Sequence, residues 1–287
     1  MPPLFGPAGC CDHFAAEGLK HSWQAMSWLA SLGLELFEYQ AGHGLNAGDE
    51  ALAKIGGEAK AHGIALSLHA PYFISMAAPD PDSRQKSLAL IAKSLRAAHI
   101  LGAGIIVVHP GGQGKLDRGQ AMDLCRQMAA EAARICYDGG YDVKIGLETM
   151  GKGGQLGTLE EIVELCAVDP RIAPVVDFGH LHARTAGADY NTPGDFRRAF
   201  AYIADKLGTA AVETLHCHFS RIEYTNAGEK RHLTFADPGF GPNYETFIEA
   251  VAREGISPRI ICESRGVQTA DALRMKKHYQ IMMRNSE

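Results

Sequence analysis

"SLALIAKSLRAAHILGAGIIVVHPGG", residues 87–112, holds the pattern that decides the fold. A helical stretch stops at Gly102, and the β-rich run "AGIIVVH" follows and ends at His109. Glycine suits the left-handed residue that ends a helix. The same order recurs along the chain. "SWQAMSWLASLG" leads into "LELFEY", and "EALAKIGGEAKAHG" into "IALSLH". "AMDLCRQMAAEAARICYDGG" leads into "YDVKIGLE", and "TLEEIVELCAVDP" into "RIAPVVD". "DFRRAFAYIADKLG" leads into "TAAVETLHCH", and "YETFIEAVAREG" into "ISPRIICE". Thr158 and Glu161 have the spacing of a capping box.

With "PLFGPAG" at the start there are eight strand candidates, and the stretch after Gln268 supplies the eighth helix. Strict βα alternation implies right-handed crossovers and a parallel sheet. Eight units in 287 residues fit a (β/α)8 TIM barrel, expected as one domain over 1–287. A doubly wound open sheet is the alternative. The longest irregular stretch is 220–243, and a loop that long is usually functional or mobile.

Composition narrows the class. The chain is 46% hydrophobic with a net charge of −5, so it carries no global basic footprint for nucleic acid. No apolar run reaches membrane-spanning length, and no signal peptide is expected from "MPPLFGPAGCC". Seven cysteines without a CxxC pair suggest reduced, packed thiols in a cytoplasmic protein. A monomer is expected.

In such barrels the active site lies at the C-terminal ends of the strands. Here the third strand ends at His69, the fourth at His109, the fifth at Glu148 and the sixth at Asp177. The seventh ends at His216 and His218, the eighth at Glu263. Each has a plain structural reading. His69 could be a satisfied core histidine, His109 part of a turn, Asp177 a helix cap. Glu148 could pair with Lys152, and Glu263 with Arg265. None of these explains the convergence. Carboxylates buried together cost several kcal/mol each unless something compensates them. A divalent cation does, and imidazole with carboxylate suits zinc or manganese. His180, three residues after Asp177, can turn toward the same pocket.

These residues, in this order, resemble the endonuclease IV family of apurinic/apyrimidinic endonucleases, within the wider xylose-isomerase-like barrels. The motifs are "HAPY" 69–72, "HPGG" 109–112, "GLET" 146–149, "DFGH" 177–180, "LHCH" 215–218, "KRH" 230–232 and "CES" 262–264. The resemblance implies hydrolysis of damaged double-stranded DNA 5′ to an abasic site. It implies that His69, His109 and Glu148 hold one ion. Glu148 would bridge to a second, held by Asp177, His216 and Glu263, and His180 and His232 would hold a third. The expected cofactor is zinc, roughly two or three ions, with manganese as the alternative.

Three departures stand out. Lys230 occupies the place of the family's third-metal aspartate, to be replaced there by His182 or Glu229, or to act itself as a phosphate clamp. The second-strand loop lacks the family's wedge arginine, leaving His43 as substitute, while Tyr72 matches the other wedge residue. His218 and Phe219 stand where polar residues are expected. Basic residues after strand ends, Arg221 and Arg231 among them, are expected to line the mouth with His182 and His218 as substrate contacts. A single-metal sugar isomerase or epimerase of the same barrel type is the alternative. It would use the Glu148, Asp177, His216 and Glu263 quartet with acid–base carboxylates.

Overall fold

The computed structural model describes residues 2–284. Eight parallel strands form one sheet: β1 (Leu4–Pro7), β2 (Leu36–Gln40), β3 (Ala65–His69), β4 (Ile105–Val108), β5 (Lys144–Glu148), β6 (Ile172–Asp177), β7 (His216–Phe219) and β10 (Arg259–Cys262). A separate antiparallel hairpin, β8 (Arg221–Thr225) and β9 (Gly228–Leu233), follows β7. The sheet order β1-β10-β7-β6-β5-β4-β3-β2 is that of a (β/α)8 barrel. It closes where Ala8 bridges Glu38 in parallel and Gly9 N–H donates to Glu38 O at 2.9 Å. Closure depends on Gly6: a Cβ there would lie 1.7 Å from Leu36 O.

The stretch 87–112 shows why the chain folds this way. The helix Pro81–Leu101 buries Leu88, Ile91, Leu95 and Ala98 on one face and ends at left-handed Gly102. That spacing makes a single apolar stripe. β4 then alternates: Ile106 and Val108 pack against the helix layer, and Ile105 and Val107 meet Val175 inside the barrel. Burying each large aliphatic side chain contributes about 1.5–3 kcal/mol.

Two expectations change. Residues 209–213 form a short helix rather than the start of a strand, so β7 begins only at His216. His216 is therefore at the entry of its strand, and His218 lies two residues nearer its exit. The stretch 220–243 is not an irregular loop but carries the β8–β9 hairpin. The expected capping box at Thr158 and Glu161 is present. All seven cysteines are free thiols. No helix of the described residues is long and apolar enough to cross a membrane.

Candidate metal centre

Strand register sets the level of the site. Asp177 on β6 lies opposite His218 on β7, and Glu263 directly follows β10. Glu148, fully buried at the end of β5, is the hub. Its Oε2 lies 2.9 Å from His109 Nε2 and 3.4 Å from His69 Nε2. Its Oε1 lies 3.1 Å from His218 Nδ1 and 3.4 Å from His180 Nδ1.

Asp177 does two things. Its Oδ1 accepts the His180 backbone N–H at 2.7 Å, capping the helix Phe178–Arg184. Its Oδ2 is buried with no hydrogen-bond partner. A buried carboxylate oxygen left orphaned is costly, and this one faces other ligand candidates. Glu148 Oε2 likewise makes no well-aligned hydrogen bond.

The histidine tautomers are set from behind. His69 Nδ1 is 2.8 Å from Ala70 O, and His180 Nδ1 is 3.0 Å from Thr149 O. A carbonyl only accepts, so each Nδ1 carries the proton. Nε2 is then the ring atom left to bind a cation, in His69 toward Glu148 and in His180 toward Glu229 Oε2 at 3.5 Å. His232 Nδ1 meets Ser220 Oγ at 2.8 Å. Outer hydrogen bonds of this kind are what orient metal-binding imidazoles.

Four groups offer ligand atoms within 4.8 Å of one another. Three of them form a connected cluster: His69, His109 and Glu148; Glu148, Asp177, His218 and Glu263; and His180, Glu229 and His232. The fourth, Glu38, His216 and His218, lies deeper in the barrel. Electrostatics favour cation binding. Burial first, then repulsion from Glu148 and Asp177, pushes Glu263 up to about 8. Burial opposes ionisation of Glu148 too, yet His218 and His109 hold it well below the usual carboxylate range. Burial also opposes a charge on His180 and His218, but the carboxylates around them raise both well above the usual imidazole value. Without a metal, the cluster depends on these protonated rings. A divalent cation such as zinc or manganese fits the orphaned oxygens and the mixed donor set.

Several sequence expectations are corrected. His218, not His216, sits beside Glu148, Asp177 and Glu263. His216 lies one layer below, with Nε2 3.1 Å from Glu38 Oε2. Lys230 is not at the cluster. Strict alternation would put Lys230 and His232 on one face, but Tyr224 pairs with Glu229 and Glu223 with Arg231. Lys230 is the extra residue of a β-bulge. It points outward to Glu223, and Glu229 takes its place facing His180 and His232. His182 is a buried core ring: Nδ1 is 2.6 Å from Asp189 O, and the other edge packs on Gly241. Arg221 is committed to Asp237 O at 2.6 Å and Asn243 Oδ1 at 2.8 Å, holding the loop after the hairpin. Arg231 pairs with Glu223 at 2.6 Å on the exposed side of the hairpin.

The mouth is aromatic. Tyr72 stands over His69 and His109, with ring centroids 4.9 and 5.4 Å away, and is about half exposed. It can approach β2 only because Gly42 lacks a Cβ, which would fall 2.1 Å from the ring. His43 touches Tyr72 edge-on at 5.9 Å. The adjoining Phe73 is 60% exposed. A cleft of about 560 Å³ beside the cluster is lined by His43, Tyr72, Glu229, Lys230, His232 and Arg265 among others.

The chain belongs to the family of xylose isomerase-like TIM barrels, whose family model matches residues 26–282. Within that family it is a divergent relative of endonuclease IV. It is 30% identical to "Probable endonuclease 4" of Acholeplasma laidlawii over 213 residues, 70% of this chain and 69% of that one. An uncharacterized protein of Methanocaldococcus jannaschii is 28% identical over 282 residues, covering 97% of both chains. Endonuclease IV from Thermus thermophilus superposes with a TM-score of 0.69 at 21% identity, over 91% of this chain and 94% of that one. A D-tagatose 3-epimerase-like protein superposes at 0.68 with 19% identity, also over 91% and 94%. These two likenesses speak to the fold.

Proposed function

We propose that this protein is a metal-dependent phosphodiesterase that cuts the DNA backbone 5′ to abasic sites. One observation carries the reading: the His69, His109 and Glu148 group is joined through Glu148 to a second ligand group, and His180 extends it to a third. A proton transfer between neighbouring carbons needs one such group. Several adjacent groups suit a phosphodiester, whose attacking and leaving oxygens both need charge compensation. The relationship to the Acholeplasma protein points the same way.

Divalent cations held there would supply the Lewis acidity for phosphodiester hydrolysis. The chain's own residues do the rest. His69 and His109 bind with the Nε2 atoms that face Glu148. Glu263, pushed up to about 8, holds a proton near neutral pH in the metal-free protein and gives it up when cations bind. Tyr72 and Phe73 present exposed rings at the mouth, on which an unstacked base or the abasic gap can rest. DNA contacts would come from Tyr72, His43, Arg265 and the exposed Lys230 of the same cleft rather than from Arg221, which is committed to the loop after the hairpin.

The second reading is a sugar isomerase or epimerase. Glu148, Asp177, His218 and Glu263 alone make the four-residue set such chemistry uses. The test is an end-labelled duplex with one abasic site, with and without chelator. Chelator-sensitive incision 5′ to the site supports the phosphodiesterase. No incision by metal-loaded protein, with turnover of a ketose instead, would establish the epimerase. In the first case Glu263→Gln should abolish cleavage while duplex binding persists.

A further inference from the structure

Beneath the cluster lies a second polar layer that fills only part of the barrel. Glu38 of β2, Ser67 of β3 and His216 of β7 are all buried. Across the axis the interior is apolar, filled by Ile105, Val107 and Val175. A carboxylate at the centre of a barrel is costly unless its oxygens are bonded. Those of Glu38 are. Its Oε2 lies 2.9 Å from Ser67 Oγ, 3.1 Å from His216 Nε2 and 3.2 Å from His218 Nε2. Its Oε1 accepts from Gln40 Nε2 at 3.1 Å.

These contacts fix His218. A carboxylate held by this many donors is ionised and can only accept. The Nε2 proton of His218 is therefore held by Glu38, and the proton a cation would displace is the one on Nδ1. Nδ1 is the atom that faces the cluster, 3.1 Å from Glu148 Oε1 and 3.4 Å from Glu263 Oε1. We propose that Glu38 is a positioning residue of the metal centre, fixing the tautomer and ring plane of His218 so that Nδ1 binds the cation shared with Glu148, Asp177 and Glu263. Ser67 and His216 in turn hold Glu38. His216 Nδ1 is buried without a hydrogen-bond partner, so the polar contact of that ring is the one to Glu38. Glu38, His216 and His218 do not form a separate cation site. His218 would then have to bind through both nitrogens and lose its ring proton.

The inference rests on the metal-centre reading but not on the substrate. Its test uses cobalt(II) as the probe. Metal-free wild type, Glu38→Gln and Glu38→Ala are titrated while metal content, visible absorption and circular dichroism are followed. Glutamine keeps an oxygen that accepts from His218 Nε2–H but removes the charge. It should preserve the wild-type absorption bands with roughly 10-fold weaker binding of one ion. Alanine should change the bands and weaken that ion up to about 100-fold, the range for loss of an outer-shell partner. The ions at His69 with His109, and at His180 with His232, should be unaffected. Wild-type affinity and bands in both folded variants overturn the proposal. If the alanine variant does not fold, wild-type affinity in Glu38→Gln overturns it alone. An ion lost selectively in His216→Phe shows a separate deep site and overturns it too. Failure of wild type to bind cobalt(II) sinks the metal-centre reading itself, and is thereby distinguished.

Discussion

Apart from His180 on the helix Phe178–Arg184, the ligand candidates stand on two kinds of backbone. His69, His109, Glu148, Asp177, His218 and Glu263 lie on or immediately after parallel strands, each paired on both sides within the closed sheet. Glu229 and His232 lie on a two-stranded hairpin outside that sheet. The hairpin is seated by a few contacts: Gly228 bridges Lys152, Glu229 N–H donates to Gly151 O at 3.0 Å, and Ile222 N–H donates to Gly241 O at 2.9 Å. Strand-borne groups are placed by sheet register, which cannot slip without turning core residues outward. Hairpin-borne groups are placed by one bulge and by the loop beneath them. The first set should be rigid and hard to replace, the second adjustable.

The largest effect expected is from Glu148→Ala. It removes the carboxylate shared by two ligand groups and leaves His69, His109, His180 and His218 without their common partner. Metal-dependent cleavage should vanish, and metal analysis should show loss of the ions on both sides of Glu148. A variant retaining wild-type metal content would show that the strand-borne groups do not act as a unit.

Next comes a pair of changes on the hairpin. Glu229→Ala removes the carboxylate that the bulge turns toward His180 and His232. One ion should bind more weakly by more than the roughly 10–100-fold that loss of an outer partner costs. Lys230→Ala keeps the bulge and removes only an exposed ion pair with Glu223. Metal content should be unchanged and stability altered by no more than about 1 kcal/mol. Equal effects of the two substitutions would mean that the charge of Lys230, not the Glu229 carboxylate, matters.

The same division explains what the sequence makes legible. Helix–glycine–strand alternation gives the barrel because period and punctuation are local. The polar strand ends at His69, His109, Glu148, Asp177 and Glu263 are legible because each follows a short apolar run. His216 and His218 share a face, and choosing between them needs the strand's starting point. The short helix 209–213 sets that point, and periodicity does not mark it. Glu229 is hidden by the bulge, since alternation alone assigns its place to Lys230. Glu38 lies mid-strand, away from the strand ends where ligands are sought. Its signal is a carboxylate directly after the buried apolar pair Leu36 and Phe37. The arginines after strand ends suggest a basic mouth, yet Arg118 and Arg184 are taken up by loop carbonyls and Arg221 by the loop after the hairpin.

The smallest effect tests the seat of the hairpin without touching a strand. Arg118 Nη2 donates to Gln155 O at 2.7 Å and Nη1 to Gly153 O at 3.2 Å, in the loop on which Gly228 and Glu229 dock. Arg118 is itself held by Glu161, with Nε to Oε1 at 2.5 Å and Nη2 to Oε2 at 2.7 Å. Burial opposes ionisation of Glu161, but Arg118 and the backbone N–H groups of Gly157 and Thr158 outweigh it and lower its pKa. A lowered folded-state value means that the stabilisation is complete above the unfolded carboxylate value of about 4.3. It is lost as pH falls through the lower folded value. Glu161→Gln keeps a side chain able to complete the capping box and removes the charge. It should destabilise by about 1–2 kcal/mol at neutral pH. Denaturant melts of the two proteins should converge as the pH is lowered below about 4. A difference that persists there would assign the effect to capping geometry instead. If the charge holds the seat, the variant should also bind the ion at Glu229 and His232 more weakly at neutral pH. The ions at strand-borne groups should not change.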